Sequence, residues 1–162
     1  GTFLGGGLVL NNQLVNGKTG NAGAIGSLPF YNGSTQSQLI TQSSLYLLER
    51  KLNDAGHNGQ HIYESPSHWS CDTHSIEDWL SETARGLAFA TQCAMSLLDL
   101  DGVIIDGAIP DDVKNALVAH TQTAMETLDM RGLAQVHISE GLVGRKAQSI
   151  GSANLALQAN YY

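Results

Sequence analysis

An α/β fold, helices packed on a mixed sheet, follows from two features of this sequence. Helical and extended signals alternate along it in the order hairpin, helix, helix, strand, helix, strand, helix. Two short apolar runs, Val103-Ile104-Ile105 and Val136-His137-Ile138, stand between stretches of helical periodicity and read as strands.

The hairpin comes first. Leu8-Val9-Leu10 and Gln13-Leu14-Val15 flank Asn11-Asn12, and asparagine tolerates the positive φ that a tight hairpin turn demands. Residues 16 to 35, rich in Gly, Asn and Ser, read as loop with a short apolar piece at Ala24-Ile25. From about Gln38 the spacing turns helical, with Leu39, Ser43, Leu47 and Leu48 on one stripe, and Gly56 is the stop after about Ala55. Residues 56 to 74 have no periodicity and read as a connection. Ser75, with Asp78 as a capping-box partner, opens the longest helix. Its buried stripe is Ile76, Trp79, Leu80, Ala84, Leu87, Thr91, Ala94, Met95 and Leu98, which marks it as core. The apolar run 103–105 reads as a strand buried on both faces, and Asp106-Gly107 turns the chain. Pro110 suits the first position of the next helix, Asp111 and Asp112 suit its dipole, and Val113, Leu117, Thr121, Ala124 and Leu128 form its stripe. After the second strand, Arg145 to about Ala159 reads as a final helix interrupted by Gly151.

Composition narrows the function classes. At 162 residues the chain suits one domain, residues 1–162, with a real core. A hydrophobic share of 42% against 14% charged excludes a disordered tail, and so low a charge fits a surface partly covered by another domain or subunit. The net charge of −7 argues against direct nucleic-acid contact. No apolar run approaches the ~20 residues of a membrane span, and no signal-peptide pattern is present. Two cysteines make no disulfide framework, so a reducing cytoplasm is the expected compartment. The chain opens on a glycine-rich run with no Met and no strand ahead of it, and is read as a C-terminal piece of something longer.

That opening, GTFLGGG, poses the first functional question. Glycine at this density lets backbone N–H groups converge on an anion, whereas Phe3 brings a ring that hinders the approach of phosphate. A phosphate cradle and a tight turn before the hairpin both remain as readings. His57, His61, His68, Cys71, Asp72 and His74 crowd one stretch, and His68-x-x-Cys71-x-x-His74 is a metal-like spacing. Ordinary loop residues beside a partner lobe explain the same pattern. Asp106 and Glu140-Gly141 each stand where α/β sheets bind ligands, but turn chemistry alone also explains each and is the preferred reading. Cys93 lies in a helix without a neighbouring base or cation and reads as packing.

Three stretches carry a family resemblance. GTFLGGGLVLNNQLVNGKTGNAGAIGSLPF (1–30), LLDLDGVIIDGAIP (97–110) and GLVGRKAQSIGSANLALQ (141–158) are similar to the glycine loop and GxxGxAGEIGH segment, the strand ending in a glycine turn at the nucleotide, and the closing helix of the ROK family. This bacterial group contains repressors and sugar kinases. The resemblance implies the C-terminal lobe of the actin/hexokinase-like ATPase (ribonuclease H-like) fold and covers about half of a family member.

It also implies what has been replaced. Gly1, Thr2, Gly5, Gly6 and Gly7 match the family's phosphate loop GTGxGGG, with Phe3 in place of a glycine. Where the family has a sugar-binding Glu and a zinc-binding His in GEIGH, the segment Gly23 to Ser27 has Ala24 and Ser27. The family's CxCGxxGCxE corresponds to residues 32–44, which puts Gln38 at the last cysteine and Ile40 at the second sugar-binding Glu. No thiolate remains for a tetrahedral zinc. The family's catalytic Asp lies upstream of this stretch. The resemblance therefore implies the effector-sensing, dimer-forming part of a carbohydrate-responsive transcriptional regulator, with neither ATP nor zinc as cofactor. It would respond to a small sugar-like molecule and touch DNA only through an upstream domain. A fragment of a sugar kinase is the alternative.

Overall fold

The computed structural model describes residues 2–33 and 35–146. Among them are six strands and three α-helices. β1 (Leu8–Leu10) and β2 (Gln13–Val15) form the expected hairpin, with Asn11 and Asn12 at φ 52° and 61° in its turn. Local turn chemistry alone set this element.

The segment read as loop is more ordered than its composition implied. A 3₁₀ turn at Ile25–Ser27 leads into a second antiparallel hairpin, β3 (Pro29–Asn32) and β4 (Thr35–Gln38), with Gly33 at φ 64° between them. β4 reads Thr-Gln-Ser-Gln and has no apolar alternation to reveal it. The hairpin is anchored instead by the ring of Phe30, packed edge-on against Phe89 with centroids 5.5 Å apart.

The helix expected from Gln38 is two pieces. Leu39–Thr41 is a 3₁₀ turn, and α1 runs Leu45–Asp54, with Gly56 at φ 87° beyond its end as expected. Leu39, Ser43 and Leu48 are buried as the stripe required, and Leu45 and Leu52 join them. Residues 56–74 carry two 3₁₀ turns, Gly59–Tyr63 and Pro66–Ser70. They are ordered by Trp69, whose indole N–H donates to the Ile62 carbonyl at 2.9 Å.

α2 (Thr73–Leu98) starts earlier than predicted. Its cap is Asp72, whose carboxylate accepts from the N–H groups of His74 and Ser75, and the Ser75 hydroxyl donates to the same carboxylate at 2.6 Å. The capping box from Ser75 to Asp78 is therefore replaced by an Asx cap three residues upstream. The stripe is buried at Ile76, Trp79, Leu80, Ala84, Leu87, Thr91 and Met95, while Ala94 is half-buried and Leu98 at the helix end is exposed.

β5 (Gly102–Ile105) and β6 (His137–Glu140) pair in parallel, Val103 opposite Ile138 and Ile105 opposite Glu140, and α3 (Asp111–Glu126) crosses between them. Ile105 is 8% exposed but Ile104 is 72% exposed, so β5 is buried on one face only and not on both. Pro110 is the residue ahead of α3 and not its first; Asp111 and Asp112 occupy the first turn as expected. Leu128 falls beyond the end of α3, and Lys114 and Val118 are buried on the helix instead. The fold class is that of an α/β lobe, with parallel and antiparallel pairing in three separate two-stranded ladders among the described residues.

One core ties these pieces together: Leu48 and Leu52 of α1, Ile62 and Trp69 of the 3₁₀ turns, Trp79 and Leu80 of α2, Leu117 of α3, and Ile138 of β6. Fully burying each such aliphatic side chain stabilises the fold by roughly 1.5–3 kcal/mol. Of the final helix expected over 145–159, Arg145 and Lys146 lie in a 3₁₀ turn, Gly144–Lys146, and the rest falls outside the described residues. Among the described residues no helix is long and apolar enough to cross a membrane.

Candidate functional site

The glycine-rich opening folds back on the segment around Gly23. A Cβ at Gly6 would lie 2.6 Å from the Gly23 carbonyl oxygen, one at Gly23 would lie 2.8 Å from Gly7 backbone atoms, and one at Gly26 would lie 2.7 Å from the Leu4 carbonyl oxygen. Backbone therefore packs on backbone, which only glycine permits. The Leu4 N–H is held by the Ser44 hydroxyl at 3.0 Å, and the Ser44 carbonyl accepts the Trp79 indole N–H at 3.1 Å, linking the loop to the core.

These contacts border an open cavity of about 240 Å³. Gly5, Gly6, Ala24, Ser27 and Ile40 line it, so five expected positions from three separated stretches meet on one wall. Leu4, Gly20, Asn21, Ala22 and Gly26 complete the lining. Sequence reasoning missed these; the Gly20-Asn21 pair, a turn signal with Gly20 at φ 77°, was the one available hint. Gly7, Thr2 and Gly23 are not on the wall, and Gly1 lies outside the described residues.

Among the described residues no ionisable side chain lines the cavity. It offers hydroxyl, amide and backbone hydrogen-bonding groups beside Leu4, Ala24 and Ile40, and has no base to take a proton and no cation to hold a phosphate. Gly5, Gly6 and Gly7 all have negative φ, so they lack the left-handed residue of an anion nest. Gly6 is explained by close packing, whereas a Cβ on Gly5 or Gly7 would meet nothing within 4 Å.

Thr2 and Phe3 are drawn away from the cavity by α1. The Tyr46 N–H donates to the Thr2 carbonyl at 3.3 Å, and the rings of Phe3 and Tyr46 are 6.2 Å apart. The Thr2 side chain lies beside Tyr63, whose hydroxyl donates to Glu49 at 3.1 Å. Burial and the Glu49 carboxylate push the Tyr63 hydroxyl up to about 12, against a smaller opposing effect of Thr2.

The histidine-rich stretch does not gather into a ligand set among the described residues. Among the described residues no three His, Cys, Asp or Glu side chains are placed to hold a metal. His68 bonds the His61 carbonyl at 2.9 Å, Asp72 caps α2, and Cys71 is exposed, so the His68/Cys71/His74 spacing does not converge. The zinc set that the resemblance places at residues 32–44 does not fit this chain either. That stretch holds no Cys, His, Asp or Glu and is largely spent on the turn between β3 and β4, on β4 and on the 3₁₀ turn after it.

Asp106 is the second functional candidate. Its carboxylate accepts from the N–H groups of Gly107 (2.8 Å), Val143 (3.1 Å) and Gly144 (2.9 Å), with the Lys114 ammonium 3.5 Å away. This is more than turn chemistry: the carboxylate joins the C-terminal end of β5 to the loop after β6. Partial desolvation pulls its pKa upward, but the three N–H donors and Lys114 outweigh this and leave it below the ordinary carboxylate value. Lys114 is raised: burial opposes its charge, and Asp111 and Asp106 more than compensate. Glu140 itself takes no part in this cluster; its neighbour Gly141 does, accepting from Lys114 at 2.8 Å.

No protein-family model and no curated protein matches the sequence, but solved structures do. A ROK-family glucokinase from Streptomyces griseus, in complex with glucose and AMPPNP, matches 98% of this chain over 58% of its own, at TM-score 0.73 and 22% identity. The ROK hexokinase from Thermus thermophilus matches 98% over 55% of its chain, at 0.67 and 19%. A ROK-family transcriptional regulator, a homolog of the E. coli MLC protein, matches 86% over 39% of its chain, at 0.66 and 18%. The shared feature is the actin/hexokinase-like α/β fold. These three structures are of ROK proteins, two kinases and a regulator, and the chain spans less than 60% of the length of each.

Proposed function

We propose that the chain belongs to the ROK family and is the C-terminal, effector-sensing and dimer-forming part of a carbohydrate-responsive transcriptional regulator, without kinase activity of its own. The observation that carries this reading is the uncharged cavity. Ala24, Ser27 and Ile40 stand on its wall where the resemblance puts a sugar-gripping acid, a zinc-binding histidine and a second acid. A pocket retained without acid, base or cation suits recognition of a small neutral molecule better than phosphoryl transfer, which needs phosphate and metal clamps. Binding there would shift the population of a DNA-competent state whose DNA contacts come from another domain. ATP and zinc have no part in this reading.

A kinase fragment is the second reading. It is favoured by the similarity to the glucokinase and by Gly5 and Gly7, where a Cβ would meet nothing within 4 Å, so that packing does not account for glycine there. Sugar-dependent ATP consumption by the full-length protein separates the two: background rates with a panel of hexoses are expected, and clear turnover with any one of them overturns the regulator reading. Sedimentation of the same protein tests the homodimer, and a monomer at micromolar concentration removes that part.

A further inference from the structure

At the C-terminal ends of β5 and β6 the loops close on the Asp106 carboxylate. Three backbone N–H groups, those of Gly107, Val143 and Gly144, point at one spot. Gly144 is left-handed at φ 53°, so the successive N–H groups of Val143 and Gly144 face the same way, as in an anion-binding nest. Lys114 adds a cation that is itself only 4% exposed and is held in place by the Gly141 carbonyl at 2.8 Å and by Asp111 at 3.2 Å. Gly141 supplies the room: a Cβ there would lie 2.5 Å from the Cβ of Asp106 and 2.6 Å from its carboxyl carbon. Converging N–H donors, a buried ammonium and a wall without a side chain are what an oxyanion site requires. The site also lies outside the carboxyl ends of parallel strands, where α/β sheets take their ligands.

We propose that this is an anion-binding nest plugged by the chain's own Asp106, an internal contact that keeps phosphate-bearing ligands from the ends of β5 and β6. The carboxylate oxygens of Asp106 use the donors that a bound phosphate would use. The plug is covalently tethered, so it occupies the nest without the translational cost a free anion bears. The inference rests on this cluster alone and holds whether or not the Gly5 cavity takes a sugar.

Inorganic phosphate is the probe. Wild-type full chain and Asp106→Ala are melted in phosphate and in chloride at matched ionic strength, and amide shifts of Gly107 and Gly144 are followed over the same titration. Phosphate stabilises proteins generally by exclusion from their surface, so the readout is the excess of the variant over wild type. An excess of ~3 °C at ~50 mM phosphate, saturating with concentration and matched by shifts of the Gly107 and Gly144 amides, is expected of the unplugged nest. Equal responses from the two folded proteins overturn the proposal, as does a saturable phosphate shift of the Gly144 amide in wild type. Should Asp106→Ala not fold, Asp106→Asn takes its place: a neutral plug holds the donors less firmly and predicts an excess of ~1 °C, and no excess overturns the proposal.

Discussion

The molecule gathers backbone loops in two places, and their electrostatics are opposite. Around Gly6 and Gly23 two glycine segments press together and leave an uncharged cavity at their edge. At the ends of β5 and β6 the loops close on a carboxylate and a buried ammonium, and the space they frame is filled by the chain itself. Glycine serves both places in different ways. At Gly6, Gly23 and Gly26 it lets main chains touch, whereas at Gly141 it makes room for Asp106. The first arrangement leaves room for a guest; the second is complete without one.

Substitutions separate the two arrangements. Gly23→Val strikes hardest, because φ 80° is strained for a β-branched residue and its Cβ would collide with Gly7; a loss of about 3–4 kcal/mol is expected in urea denaturation. A loss below 1 kcal/mol would mean that the loops at Gly6 and Gly23 are not packed as described. Asp106→Ala leaves three N–H groups without their acceptor and Lys114 with only Asp111 and the Gly141 carbonyl, and is expected to cost about 2 kcal/mol by the same measurement.

The charged end also responds to pH. The folded Asp106 carboxyl lies below its unfolded value, so its contribution is fully present above the unfolded value near 3.9 and is lost as pH falls through the folded one. Stability measured at pH 7 and at progressively lower pH should therefore fall less in Asp106→Asn than in wild type. Parallel curves would remove the carboxylate from the account. Asp72→Ala, a control outside both regions, is expected to lower the urea midpoint through loss of the α2 cap, by less than Asp106→Ala does. The smallest effect belongs to metal removal: with residues 32–44 free of ligand side chains, a chelator should move the melting temperature by about 0 °C, within the error of the scan. A drop of several degrees would reveal a ligand set the described residues do not contain.

Local chemistry made part of this legible in the sequence. Asn11-Asn12 fixes its hairpin within a few residues, Gly56 stops α1, and Asp111 and Asp112 mark the start of α3. What escaped depends on contacts made at a distance. β4 is polar at every position and is held by pairing with β3 and by Phe30 on Phe89. Asp72 caps α2 from ahead of its apolar stripe, so periodicity placed the start too late. At the site, Ala24, Ser27 and Ile40 were expected at ligand positions, and the structure does place them on one wall. Leu4 and Asn21 carried no such signal. Lys114 was the least legible of all: a lysine in a first helical turn reads as solvated, and only the fold shows it buried beneath Asp106 and Gly141.

The two tryptophans extend the use of this arrangement. They are the only ones in the chain, both are buried, and their rings meet edge-on with centroids 6.1 Å apart. Trp79 donates to the Ser44 carbonyl, and the Ser44 hydroxyl holds the Leu4 N–H on the cavity wall. Intrinsic fluorescence is thus an optical gauge wired to that wall by two hydrogen bonds, so a guest that displaces Leu4 can be detected without any label.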